Sequence, residues 1–361
     1  TYEVINPCNE EVIGDASNAK PEDVDKALES ARLGFDKWKK TTPWERSKII
    51  RKAADLIREN KETIAKWISL EVGKPLKESL AEVEGSADIF EWNSEETKRI
   101  FGRNIESRFP TTRMNVYYQP VGVVAALVAW NFPCMLASRK ISTALAAGCS
   151  VICKPDVITP GSVMSLVDII NKAGFPDGAI NLLSGDPAKV SEQLISSDIV
   201  KKVSITGSTR VGKIVLKQAA EKVQRVTMEL SGHAPFIVYE DANIEKAVDT
   251  AMAAKYRNNG QVCISPSRFF IHEKVKSKFQ DLFVKKTLKL KMGDAFSNPD
   301  LGPITTEKRL NDVEKLSDLT VKEGAELLCG GKRASNFNKG YYFEPTIFDK
   351  VEDSYTIMTE E

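Results

Sequence analysis

Val121-Gly-Val-Val-Ala-Ala-Leu-Val-Ala129 contains no charged residue, and Ser150-Val-Ile-Cys-Lys154 follows it after one helical stretch. Uninterrupted apolar runs of this length suit strands covered on both faces, as in a parallel sheet, and not the alternation of a half-solvated one. Residues 134–147 between them have helical spacing. Further on, 180–183, 203–206 and 226–230 read as strands. Helices are expected from Thr159-Pro160, a helix-start pair, to Gly174, and from Gly207 to about 222. Strands alternating with helices predict an α/β fold built on a doubly wound parallel sheet.

The pattern differs on either side of this block. Residues 22–40 and 43–72 read as amphipathic helices. In the second, Pro43 suits the start, and Ile49, Ile50, Ala53, Leu56, Ile57, Ile64, Trp67 and Ile68 recur near helical spacing. Gly73-Lys74-Pro75 stops it, and another helix covers 76–99. Residues 103–118, with Val116, Tyr117 and Tyr118, predict an extended hairpin. A second block opens near Gly232, with strands at 236–239 and 269–272 and helices at 243–256, 274–290 and 306–324.

The chain of 361 residues exceeds one ordinary domain, and its 42% hydrophobic and 28% charged content is that of a soluble globular protein. Lys plus Arg number 51 against 50 Asp plus Glu, a net charge of +1 that gives no reason to expect nucleic acid or an anionic membrane as partner. No apolar stretch is long enough for a membrane span, and the N-terminus lacks a secretory signal. The 6 cysteines are scattered, which argues against a disulfide framework and for a reducing, cytoplasmic setting. Cys149 and Cys153 bracket a strand and read as small buried hydrophobes. No His accompanies them, so no zinc set is expected. With only 2 histidines, His233 and His272, a histidine-based nucleophile mechanism has few options.

Several residues stand where chemistry is possible. Cys263 ends Asn258-Asn259-Gly260-Gln261-Val262-Cys263, and a thiol there is either a structural cysteine or a nucleophile. Glu229 closes an apolar strand, as a solvated carboxylate or as a general base. Gly207-Ser-Thr-Arg-Val-Gly212 joins a strand to a helix, where free N–H groups can hold phosphate. The spacing is neither the dinucleotide fingerprint nor a P-loop, and a plain tight turn fits as well. Trp130-Asn131 follows the first buried strand, placing an amide where an oxyanion donor or a structural turn asparagine can sit. Lys154 ends the second strand, within reach of a ribose or of solvent.

Together these segments resemble the aldehyde dehydrogenase superfamily. The chain carries A-W-N-F-P at 129–133, L-A-A-G-C-S-V-I-C-K-P at 145–155, T-G-S-T-R-V-G at 206–212, M-E-L-S-G at 228–232 and N-N-G-Q-V-C at 258–263, in the family's order. L-G-P at 301–303, G-Y-Y-F-E-P-T at 340–346 and T-E-E at 359–361 extend the match along the whole chain. The resemblance implies a dinucleotide-binding domain over 1–102 and 119–231. It implies an oligomerisation hairpin at 103–118 in a homodimer or homotetramer, and a catalytic domain over 232–361, incomplete at its C-terminus. It implies Cys263 as nucleophile, Asn131 as oxyanion donor and Glu229 as the base that hydrolyses the thioester. Trp130, Lys154, Gly207, Ser208, Gly212, Leu230 and Glu361 would hold NADP or NAD. Arg139 and Arg257 match positions where succinate-semialdehyde dehydrogenases place arginines for the substrate carboxylate.

Two departures refine this. Val157 stands where NAD-preferring members often carry Glu for the ribose hydroxyls. Asp156 faces the other way in an extended chain, so NADP is favoured. Ser231 replaces the usual Gly of E-L-G-G. Glu229 argues against the CoA-acylating relatives, which commonly lack it. Retention of Cys263, Glu229 and Asn131 together argues against a non-catalytic structural relative.

Overall fold

The computed structural model describes residues 1–360 and divides into two compact units. The first comprises Thr1–Tyr2, Ala16–Ala65 and Leu80–Glu229. At its centre lies a sheet of 5 strands. In spatial order they are Ile180–Leu182, Ser150–Lys154, Val123–Leu127, Val200–Gly207 and Arg225–Leu230. The pairings of Val123–Leu127 with Ser150–Lys154 and with Val200–Gly207 are parallel, as is that of Ser150–Lys154 with Ile180–Leu182. Every residue of Val123–Leu127 and of Ser150–Lys154 is buried, as expected of strands with helices on both faces. Numbered along the chain the order is 3-2-1-4-5, so the winding reverses between the first strand and the fourth.

Helix Pro21–Trp38 packs on this sheet through Val24, Leu28 and Ala31. Gly34 in that helix lies against Gly178: a Cβ added there would meet the Gly178 carbonyl carbon at 2.0 Å. Trp38 closes the same helix, its indole N–H donating to the Leu145 carbonyl at 2.9 Å and its ring set edge-on to Phe175.

The 43–72 stretch is two helices, Pro43–Glu59 and Lys61–Val72, not the one its periodicity predicts. Thr42 and Glu45 form a capping box at the first start. Asn60 leaves the helical region, and its backbone N–H and side-chain amide both donate to the Leu56 carbonyl, at 3.1 and 2.8 Å. Helix Pro187–Ser196, absent from the sequence reading, starts at Asp186, which accepts from Ala188 and Lys189 N–H. The predicted hairpin consists of Arg103–Ile105 antiparallel to Met114–Val116.

The second unit comprises Glu3–Asp15, Lys66–Ser79 and the chain from Leu230 onward. Its parallel pair Ala234–Val238 and Pro266–Ile271 packs on helices Ile244–Tyr256 and Glu273–Thr287. Val238, Val248, Ala251, Phe279 and Phe283 form that core. Helix Glu307–Glu323 ends on Gly324, whose φ of 113° is one glycine adopts without steric cost. Among the described residues no helix is long and apolar enough to cross a membrane.

The Gly34 contact generates a prediction. Gly34→Ala forces the helix away from Gly178 and should cost about 3 kcal/mol. Thermal melting would show a drop of several degrees; an unchanged melting temperature would mean that the contact is not tight.

Candidate active site

In the first unit the expected residues gather at strand ends. Trp130 and Asn131 follow Val123–Leu127, Lys154 is the last residue of its strand, and Gly207 is the last of Val200–Gly207. These strands are parallel, so these residues lie at one edge of the sheet, and the winding reverses between two of the strands. Open α/β sheets take ligands at such a point.

Local sequence explains the loops. Pro133 opens helix Pro133–Ala146, and the buried Glu82 carboxylate accepts from Cys134 N–H at 3.0 Å and from Met135 N–H at 3.2 Å. A carboxylate on the free N–H groups of a helix start also suits the helix dipole. It steadies the segment that carries Asn131. At the other strand, Ser208 caps helix Thr209–Ala220, its hydroxyl accepting from Val211 N–H at 3.3 Å, and Gly212 N–H donates to the Ser208 carbonyl.

These features fit a dinucleotide. A Cβ at Gly207 would find nothing nearer than the Ile205 side chain at 3.9 Å, so its neighbours leave room at this turn. Thr206 Oγ1, one residue before, is buried without a hydrogen-bond partner. Lys154 is 4% exposed, and its ammonium donates to the Pro155 carbonyl at 2.9 Å. Burial pulls its pKa down, opposed by the Asp156 charge. Asp156 accepts from Ile158 N–H, and burial pushes its carboxyl above the ordinary range. Val157 between them is partly buried.

Glu229, next to last in Arg225–Leu230, is exposed, as is Arg139 on helix Pro133–Ala146. Lys140, beside Arg139, was not singled out from the sequence. Its ammonium donates to Ser204 Oγ at 3.3 Å, and burial pulls its pKa down to about 8, partly offset by the Glu229 carboxylate. The signal available was a lysine on an otherwise apolar helix face.

In the second unit Cys263 stands out among 6 free cysteines. Cys8, Cys134, Cys149 and Cys153 are buried, and burial pushes the Cys8 thiol up to about 11 and Cys153 to about 12. Cys329 is partly exposed, its thiol also raised by burial. Cys263 is partly exposed and follows a turn with three successive left-handed residues: Asn258 at φ 50°, Asn259 at 56° and Gly260 at 78°. Most residues pay about 1–2 kcal/mol for that region; glycine and asparagine visit it routinely.

Hydrogen bonds hold the turn. Asn258, fully buried, donates its backbone N–H to Glu78 Oε2 at 2.6 Å. Asn259 accepts from Gly302 N–H at 2.5 Å and donates to the Pro303 carbonyl at 2.9 Å. Gln261 accepts from Thr305 N–H at 3.0 Å, and Ser265 N–H donates to the Val262 carbonyl. Arg257, at the start of this segment, is exposed, and Leu230 is partly buried. Glu361 lies outside the described residues.

The "Aldehyde dehydrogenase family" model matches residues 1–361. The mitochondrial succinate-semialdehyde dehydrogenase of Oryza sativa subsp. japonica is 39% identical over 362 residues, covering 100% of this chain and 68% of the relative. The NADP(+) succinate-semialdehyde dehydrogenase GabD of Escherichia coli is 36% identical, covering 99% of this chain and 74% of the relative. The crystal structure of succinate-semialdehyde dehydrogenase from Burkholderia pseudomallei superposes with a TM-score of 0.97 at 37% identity, covering 100% of this chain and 74% of that one.

Lys140 gives a pH test. Its folded pKa of about 8 lies below the ordinary 10.5, so between those values the folded state binds fewer protons than the unfolded one. Stability from this group therefore rises with pH across that window, and below it the buried charge is a cost. At pH about 7 the Lys140→Met variant should melt higher than the parent, and the gap should close as pH rises past about 8. A gap independent of pH would contradict the assignment.

Proposed function

Because the chain belongs to the aldehyde dehydrogenase family, we propose that it oxidises a small carboxylated aldehyde, succinate semialdehyde foremost, to the acid with NADP or NAD. The observation that carries this reading is the partly exposed Cys263 on a hydrogen-bonded turn, while four of the other cysteines are buried. In this reading the Cys263 thiolate adds to the aldehyde carbon, forming a thiohemiacetal. The Asn131 amide and the Cys263 N–H donate to its oxyanion. A bound nicotinamide dinucleotide supplies the hydride acceptor. Loss of hydride leaves a thioester on Cys263. Glu229 takes a proton from water, the resulting hydroxide attacks the thioester carbon, and the carbon–sulfur bond breaks to release the acid and the thiolate.

Trp130, Lys154, Gly207, Ser208, Gly212, Leu230 and Glu361 are the residues we assign to the dinucleotide. Val157 supports a preference for NADP, since no carboxylate there opposes a 2′-phosphate, and the E. coli relative is named for NADP. Arg257 and Arg139 are assigned to the substrate carboxylate, and both residues are exposed. Glu229 favours release to water over release to CoA. The hairpin, with exposed Ile105, Met114, Tyr117 and Tyr118, supports a homodimer or homotetramer. The free cysteines suit a reducing compartment such as the cytoplasm.

Steady-state rates of dinucleotide reduction test the substrate. Arg257→Ala should raise KM for succinate semialdehyde by about 10- to 100-fold, the worth of a charge-assisted hydrogen bond, and change KM for a neutral aldehyde little. Equal effects on both would refute the assignment. For the cofactor, Val157→Glu should shift preference toward NAD by about tenfold or more, through repulsion of the 2′-phosphate and a bond to the ribose hydroxyls. An unchanged NADP-to-NAD ratio would remove Val157 from the cofactor argument.

A further inference from the structure

We infer that Glu78 is a positioning residue for the nucleophile, and that its carboxylate sets the direction of the turn from Arg257 to Cys263 by accepting the backbone N–H of Asn258. This inference rests on the reading of Cys263 as nucleophile.

The Asn258 nitrogen belongs to the peptide that joins Arg257 to Asn258. A short bond of 2.6 Å to Glu78 Oε2 fixes that peptide plane at the first of the three left-handed residues. The chain direction downstream, and with it the Cys263 Sγ, follows from that plane. Glu78 sits in the first turn of helix Leu76–Glu96, where its own N–H donates to the Pro75 carbonyl. Lys74, Lys77 and Arg257 face the carboxylate; burial raises its pKa, and the Asn258 N–H and these cations pull it back.

The segment behind Glu78 is itself immobilised. The Val72 carbonyl accepts from Thr305 Oγ1 at 3.0 Å, and Leu76 N–H donates to the Ala295 carbonyl at 3.0 Å. A Cβ at Gly302 would come within 1.9 Å of the Gly73 carbonyl oxygen. The 302–305 segment that grips Asn259 and Gln261 therefore rests on the same stretch, 72–78, that presents Glu78. Glu78 reaches the turn directly from that stretch, and its effect on Cys263 is a matter of aim, for which a shift of about 1 Å can cost about 100-fold in rate.

The test compares Glu78→Met, which keeps bulk and removes the acceptor, with Glu78→Gln, which keeps an acceptor oxygen and removes the charge. Three quantities are read on the full chain: kcat with succinate semialdehyde, the rate at which iodoacetamide modifies Cys263 (mapped by peptide mass spectrometry), and the Kd for NADP. We expect Glu78→Met to lower kcat about tenfold or more and to change the alkylation rate of Cys263 at least threefold, with Kd for NADP within twofold of the parent. We expect Glu78→Gln to restore both rates to within about threefold of the parent. Parent-like kcat and alkylation in Glu78→Met overturn the inference. So does a Glu78→Gln variant as impaired as Glu78→Met, which would assign the role to charge. If Glu78→Met does not fold, Glu78→Ser, too short to reach Asn258, takes its place with the same outcomes. Alkylation needs no turnover, so a parent protein inert toward aldehydes would count against the proposed reaction and leave the Glu78 comparison readable.

Discussion

Three left-handed residues in a row, Asn258, Asn259 and Gly260, are the constraint on which the candidate active site rests. Few side chains tolerate that backbone, and the sequence supplies two asparagines and a glycine there. The tolerance of these residues is not enough to select one conformation. The selection comes from partners: Glu78 on the Asn258 N–H, Gly302 and Pro303 on the Asn259 amide, and Thr305 on Gln261. These bonds hold the turn after which Cys263 follows, partly exposed, whereas Cys8, Cys134, Cys149 and Cys153 are buried.

The first unit solves a different problem by a related device. A parallel sheet wound outward in two directions leaves its strand ends facing a gap, and the chain places Asn131, Lys154 and Gly207 at those ends. Glu82 steadies the Asn131 segment by accepting from two N–H groups at a helix start, just as Glu78 steadies the Cys263 segment in the second unit. In each unit an acidic side chain, buried at Glu82 and half-buried at Glu78, accepts from backbone N–H beside a candidate reactive residue. Hydrogen bonds from backbone N–H groups compensate for part of the cost of burying a carboxylate.

The middle of the central sheet was legible because two of its strands are buried on both faces. Val123–Leu127 and Ser150–Lys154 cannot be half-exposed, and the turn at Gly207 marks where a helix begins. Helix Pro187–Ser196 carried a readable signal in Asp186-Pro187, a cap followed by proline, which the periodicity alone did not bring out. The break at Asn60 was not readable, since the apolar spacing continues across it. The supports at Glu78 and Glu82 were also invisible. Their partners lie 180 and 52 residues away, and no local pattern encodes such a pairing. For the same reason the grouping of Glu3–Asp15 and Lys66–Ser79 with the second unit follows from tertiary bonds such as Thr305 to Val72, not from local sequence.

The proposed reaction passes through one covalent species, and it can be observed directly. Glu229→Gln enzyme, incubated with NADP and succinate semialdehyde and quenched in acid, should retain the acyl group because water is no longer activated. Peptide mass spectrometry should then find a succinyl thioester on Cys263. Reduced nucleotide accumulating while Cys263 remains unmodified, or an acyl group carried by another cysteine, would contradict Cys263 as the nucleophile.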